Sequence, residues 1–265
     1  MAEIEKSPSR KDRIEVSDGA LIPEKEERAT FTAWRISFFG AIALLVLLPF
    51  ISPDPYGRII AFLPDGILQT FKVTVLSIVF ALIVGLFTGL GRISRIKIIN
   101  RIATVYVEVI RGIPLLVQLF YIYYAMGKII QVPRLVAAVT AMTVCYGAYL
   151  GEIFRAGIQS IPKGQMEAAL ALGMSRAQAM RRIILPQTFR VVLPPVGNEF
   201  IALLKDSSLV SILAVADLLR RGREFAAKTF YYFETYTVVA LVYLVLTLFF
   251  SKLVSIMEER LNRRG

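Results

Sequence analysis

Glu199, Lys205 and Asp206 lie in the otherwise apolar stretch Val191 to Leu213, together with Asn198, Pro194 and Pro195. Ionised groups in hydrocarbon cost roughly 2.5–3.5 kcal/mol each on insertion scales, so charges kept there read as functional. On an ideal helix Glu199 and Asp206 share a face, while Asn198 and Lys205 share another about 100° round. Acids can hold a cation and a lysine can hold an anion, so this segment supplies both signs for a charged solute. The run Asp206-Ser207-Ser208 has the form of an N-cap for a helix continuing from Leu209, and the two prolines weaken the helix before it. A broken helix offering backbone N–H groups at mid-membrane depth is therefore expected. The bland alternative is that these charges pair with one another, or with a dimer partner, and hold the bundle together. Glu108 and Arg111, three apart, fit a local helix pair as well as a pathway role for Arg111. Pro114 just beyond them is expected to bend that span.

The inventory excludes other chemistry. The 265 residues contain no histidine and a single cysteine, Cys145. Ser-His-Asp triads and H-E-x-x-H metalloprotease helices are ruled out, zinc sites of the usual kind are not expected, and no metal or cofactor is expected. No intrachain disulfide can form. The pattern G-x-x-x-x-G-K-[ST] is absent, so the chain carries no Walker-type phosphate cradle of its own.

These charges need elements to hold them, and composition says which. Apolar residues make up 56% and charged residues only 19% of the chain, against about 45–50% and about 25% in soluble domains. A bilayer core of roughly 30 Å takes about 20 mostly apolar residues in a helix. Ile36 to Pro53, Val73 to Gly91, Leu135 to Gly151 and Thr235 to Ser251 are free of charge. Gly112 to Gly127 becomes a span if Val105 to Arg111 joins it, and Val191 to Leu213 makes a sixth. Gly85 with Gly89 and Gly147 with Gly151 are small-xxx-small pairs that mark close helix approach. Tyr121, Tyr123 and Tyr124 read as an aromatic belt at the outer interface.

The net charge of +11 does not point to nucleic acid, because the basic residues sit between apolar segments. Residues 1–30 hold 6 Lys/Arg against 8 Asp/Glu and read as a polar, disordered cytoplasmic tail. Short loops rich in Lys and Arg stay inside. Arg92, Arg95, Lys97 and Arg101 follow the second span, and the connection after the fourth carries Arg155, Lys163, Arg176, Arg181, Arg182 and Arg190. Both are placed in the cytoplasm, with both chain ends. Ile212 to Phe233, with Arg220, Arg221, Arg223 and Lys228, disagrees, offset in part by Asp217 and Glu224.

The long connection after the fourth span carries the most information. Ile161-Pro162-Lys163 opens a helix with proline in its first turn, and Gly173 closes it from the C′ position. Ser175 and Gln178 form a capping-box pattern for a second short helix, expected to stop at Pro186. Glu167-Ala168-Ala169, then Gly173, then Ile183, Leu185 and Pro186, resemble the EAA loop of ABC importer permeases at every defining position. Tyr106 to Gln118, Ala148 to Ile158 and Gly197 to Leu209 resemble permeases for polar amino acids of the histidine/glutamine/arginine type.

The resemblance covers about Pro64 to Leu261 and implies an all-α, polytopic membrane bundle of about six spans with a cytoplasmic coupling-helix loop at 160–186. The family core has five spans, so residues 31–63 look like an added N-terminal helix and outer loop. It implies a transport subunit of the bacterial inner membrane, not an enzyme. Two ATPase subunits would bind the elbow through Glu167, Ala168, Ala169, Leu172 and Gly173. A second permease, identical or related, would complete the pathway, an extracytoplasmic binding protein would deliver a polar amino acid, and membrane lipid would surround the bundle. By the same reading Glu199, Lys205, Asp206, Asn198 and Arg111 line the substrate pathway. A proton-coupled secondary transporter using Glu199 or Asp206 is the alternative, but it leaves the elbow without a purpose. An amphipathic loop resting on lipid is the bland reading of that elbow. An intramembrane enzyme is weaker still, since the usual catalytic sets are missing.

Overall fold

The computed structural model describes residues 32–262. The tail expected at residues 1–30 lies outside the described residues. Every regular element among them is helical: α1 (Ala33–Ile51), α2 (Arg58–Phe62), α3 (Pro64–Arg92), α4 (Lys97–Gly112), α5 (Leu115–Phe120), α6 (Arg134–Gln159), α7 (Lys163–Ala171), α8 (Arg176–Ala179), α9 (Leu185–Asp206), α10 (Leu218–Thr229) and α11 (Tyr232–Asn262), with short 3₁₀ and π turns between some of them.

Four described stretches are long and apolar enough to cross a membrane: Ala33–Ile51, Pro53–Arg92, Arg134–Gln159 and Tyr232–Leu261. Lys97–Gly112 with Leu115–Lys128 makes a fifth if the bent pair is one span. The helix α9, at 22 residues, is long enough for a sixth but carries Asn198, Glu199, Lys205 and Asp206. These polar residues leave it less apolar than the other spans.

The bundle centres on α3 and α6, which approach closely at the four expected glycines. A Cβ added at Gly85 would stand 2.6 Å from that of Leu150, one at Gly89 2.8 Å from that of Phe154, and one at Gly151 2.8 Å from Thr88. With lipid tails as apolar as leucine, such contact replaces the hydrophobic effect as the force joining the helices. Around this seam Val73, Ala81, Leu119, Met142, Leu150 and Leu203 are buried. A second buried cluster, with Ile59, Leu63, Leu218, Phe225 and Val238, lies where α2, α10 and α11 meet. Here Asp217 caps α10 by accepting from the backbone N–H groups of Leu219 and Arg220. Burial pushes its carboxyl up to about 6, against the pull of those donors.

The N-terminal helix α1 runs along α11. The Trp34 indole N–H donates to the Leu248 carbonyl at 2.9 Å, and the Lys252 ammonium sits 5.9 Å from the Trp34 ring centroid. Ala41 is the residue α1 buries, while Phe39, Leu47 and Phe50 are exposed, as suits a helix facing lipid on most sides.

Two expectations about helix breaks are corrected. Pro186 does not stop the helix opened by Ser175: the chain passes through a π turn, Met180–Ile184, straight into α9. A widened turn moves the carbonyl four residues back away from the proline ring, which removes the clash that would end an α-helix. Nor do Pro194 and Pro195 break α9, and Asp206 does not cap a new helix. Asp206 has helical φ −69° and ψ −17°, without the extended backbone of an N-cap, and a 3₁₀ run, Ser207–Leu213, follows directly. Ser207 Oγ donates back to the Leu204 carbonyl at 2.7 Å. The helix runs on into the 3₁₀ turn without a gap, so no set of free N–H groups opens there.

Candidate functional site

A cleft of about 500 Å³ opens between the corner joining α4 to α5, the middle of α6 and the later half of α9. Proline makes the corner. Without an N–H, and with a ring that forces its predecessor into extended backbone, Pro114 leaves Ile113 at φ −109° and ψ 128°. The two helix axes diverge by 103°, so the expected bend is present. The exposed carbonyls at the corner are capped by Gln118, whose Nε2 donates to Ile110 and Ile113, each at 2.8 Å. Bent this way, α4 delivers Arg111 to the cleft. Its guanidinium lies 5.0 Å from the centroid of the Tyr149 ring, a cation–π contact that orients the side chain.

The facing wall is α9. Glu199, Ala202 and Asp206 line the cleft, as their spacing on one helical face requires. The Tyr146 hydroxyl donates to Asp206 Oδ2 at 2.8 Å, which fixes one carboxylate oxygen and leaves the other free to accept. Tyr146 is near the midpoint of the 26-residue α6, so the cleft lies at mid-depth of the bundle. One guanidinium and two carboxylates, with phenol hydroxyls and a thiol between them, give the cleft both charge signs and a net negative balance.

Of the five residues expected on the pathway, the structure brings Arg111, Glu199 and Asp206 together. Asn198 and Lys205 are exposed on the other flank of α9 and do not line the cleft. Among the described residues no ion pair joins Lys205 to either acid, nor Glu108 to Arg111. Tyr146, Tyr149 and Gln118 were missed as site residues. A hydroxyl or amide in an apolar span is a weak signal by itself, and only the fold shows where each one points.

The elbow is the second candidate site. The helix α7 ends as the glycine foretells: Gly173 has φ +81°, its N–H bonds the Leu170 carbonyl at 3.0 Å, and the N–H of Met174 bonds that of Ala169 at 3.1 Å. This is a Schellman motif. Both bonds of the capping box between Ser175 and Gln178 are made. Ala169 is buried, whereas Glu167, Ala168, Leu172 and Gly173 are exposed, Leu172 to 80%.

The elbow is tied at both ends to the walls of the cleft. Gln187 on α9 donates to Gln165 on α7 at 3.3 Å, and at Gly157 α6 comes so close to α9 that an added Cβ would collide with Val192. Nearby, Glu152 joins Arg92 and Arg155, and Asn100 donates to the Arg92 carbonyl, linking the C-terminal ends of α3 and α6 to the start of α4. α7 is therefore joined to α6 and α9, the helices that carry Tyr146, Tyr149, Glu199 and Asp206.

Residues 81–264 match the family model described as the inner membrane component of binding-protein-dependent transport systems. The chain is 39% identical over 206 residues to the glutamine transport system permease protein of Escherichia coli, a match covering 77% of this chain and 94% of that protein. It is 40% identical over 203 residues to the L-cystine transport system permease protein of Bacillus subtilis, with coverages of 76% and 87%. Among solved structures, an amino acid ABC transporter crystallised with histidines gives a TM-score of 0.74 at 43% identity, covering 80% of this chain and 98% of that one. The MetNI methionine ABC transporter in an inward-facing form, at 20% identity and a TM-score of 0.65, shares the fold.

Proposed function

The chain belongs to the inner membrane components of binding-protein-dependent transport systems, and from that premise we propose that it is the membrane-spanning permease of an ATP-driven importer of polar amino acids. The cleft carries this reading. A polar amino acid presents an ammonium and a carboxylate, and the cleft sets Glu199 and Asp206 against Arg111 at mid-depth. Asn198 and Lys205, on the exposed flank of α9, are assigned to the route beside it. The named relatives, which handle glutamine and cystine, support the solute class.

In this reading two separate ATPase subunits grip the elbow through Glu167, Ala168, Ala169, Leu172 and Gly173, a second permease, identical or related, completes the pathway, and an external binding protein delivers solute. The short helix with an exposed apolar end, tied to both cleft walls, supports the coupling role. Nucleotide-driven closure of the ATPases would tilt α6 and α9 together and change which side of the membrane the cleft faces. Residues 64–261 form the transporter core, and residues 31–63 add α1 at its edge.

Uptake into vesicles holding the permease, its ATPase and binding protein is expected to require ATP on the ATPase side, and a pH gradient without ATP is expected to drive none. Accumulation under the pH gradient alone, in protein free of ATPase, would return the secondary-transporter reading.

For orientation, both chain ends and the elbow are assigned to the cytoplasm, on the strength of the Lys and Arg residues at 92–101 and 155–190. Arg220 and Arg221, which speak for the opposite sense, are engaged by Glu224 and Asp65. With Cys145 replaced, a cysteine at position 221 should react with an impermeant reagent from outside and one at 97 from inside. The reverse pattern would invert the topology.

A further inference from the structure

We infer that the charged face of α4 lines the passage by which solute leaves the cleft toward the cytoplasm. The inference rests on the importer reading and adds to it a wall that the cleft does not include. At about 100° per residue, α4 divides into three faces. One packs inward: Val107 is buried, Ala103 lies against Gly91, and the Tyr106 hydroxyl donates to the Val144 carbonyl at 2.6 Å. The second is apolar and exposed: Ile98, Ile102, Val105 and Val109 show 68%, 66%, 57% and 50% of their surface, as a lipid-facing strip should.

The third face holds Lys97, Arg101, Thr104, Glu108 and Arg111, all exposed except the half-buried Thr104. None of its charged members forms an ion pair among the described residues. From Lys97 to Arg111 the strip is about 21 Å long at 1.5 Å per residue, most of the roughly 30 Å of hydrocarbon. Its upper end is Arg111, which is also a wall of the cleft. Lys97 and Arg101 are long enough to snorkel toward the inner interface. Glu108 is not: its side chain is short, and it stands about 16 Å along the helix from Lys97. A carboxylate there cannot face lipid cheaply, and among the described residues it forms no ion pair. Continuity with the cleft makes water the medium it faces, and the alternation of Arg111, Glu108 and Arg101 then gives a zwitterion successive partners of both signs.

Single cysteines at positions 104, 108, 105 and 109, in a Cys145→Ala background, distinguish the faces in vesicles carrying the complete transporter. A membrane-impermeant methanethiosulfonate reagent applied to the cytoplasmic side should modify Thr104→Cys and Glu108→Cys about ten-fold faster or more than Val105→Cys and Val109→Cys, because apolar surroundings raise a thiol pKa and each unit removes about ten-fold of the reactive thiolate. Modification at 104 should block ATP-driven uptake, and exposure of the 105 variant to the same reagent should leave it intact. Should Glu108→Cys fail to assemble, the pair 104 and 105 decides alone. Equal rates on the two faces overturn the inference, as does protection of 104 and 108 by a dry interface with a second copy. If uptake by unmodified protein proves independent of ATP, the importer reading fails, whatever the labelling pattern.

Discussion

Glu199→Gln and Asp206→Asn should each lower ATP-driven uptake about ten-fold or more while the protein still inserts, assembles with its ATPase and hydrolyses ATP at the basal rate. Each change keeps the shape of the side chain and removes the charge that would hold the solute ammonium. A hydrogen bond to a charged group contributes about 1.5–3 kcal/mol, and about 1.4 kcal/mol is a factor of ten. Arg111→Met should act at the other end of the solute, weakening carboxylate capture and shifting preference toward amino acids with extra cationic groups. Tyr146→Phe removes only the donor that orients Asp206 and should cost less than the loss of the acid itself. Lys205→Met, off the cleft, should be milder than either acid variant. If the acids only brace the bundle, breaking their contacts should lower yield and thermal stability for every solute alike, by about 3–5 kcal/mol where a buried pair is broken. Unaltered rate and preference in both acid variants and in Arg111→Met would remove the site.

Gly173→Asp should uncouple the transporter. The measurement is solute-stimulated ATP hydrolysis with ATPase co-purification, and both should fall while membrane insertion persists. Gly173 is at φ +81° with open space around it in the isolated chain, so an added Cβ meets backbone strain and no internal clash. That strain is about 1–2 kcal/mol for an ordinary L-residue. Asparagine and aspartate tolerate this conformation better than other residues, which separates the two ways of failing. Gly173→Asn should keep much of the coupling if geometry alone matters. Gly173→Val, β-branched at positive φ, should unwind the Schellman turn and lose it. An aspartate that fails where asparagine works would locate the fault in charge at the docking face. Full coupling in both the aspartate and the valine variants would show that this glycine is not at the joint.

The helical elements were legible from residue type and spacing because each depends on neighbours within a few positions. The glycine at the C′ position of α7 and the Ser175 capping box are local signals, and the structure contains both as read. Charge-free runs marked the spans for the same reason. The close approach of α3 and α6 was readable as well, since two pairs of glycines four residues apart have few other uses in a lipid-facing helix. Helix breaks were read less well. Proline removes a hydrogen bond wherever it stands, yet Pro114 turns the chain through 103° while Pro186, Pro194 and Pro195 leave it helical. A π turn precedes Pro186, and α9 is held between α6 and α11, so the neighbours decided which proline became a corner.

For the candidate site, the sequence determined which charges must avoid lipid. Glu199, Lys205 and Asp206 stand out because an ionised group in a span is costly, Arg111 less so because Glu108 three residues back offers it a local partner, and the seven-residue spacing alone puts both acids on one face. It could not say which cation completes the set. Lys205 is adjacent to Asp206 in the chain but about 100° round the helix, and it turns outward. Arg111, ninety-five positions away from Asp206, reaches the cleft because Pro114 bends the chain and Tyr149 receives the guanidinium. Periodicity fixes direction around one helix axis. The distance between two helices is set by the side chains meeting across their seam, here glycine against leucine and threonine, and so only the tertiary structure decided that α4, α6 and α9 share one cleft and that the elbow is fastened to two of its walls.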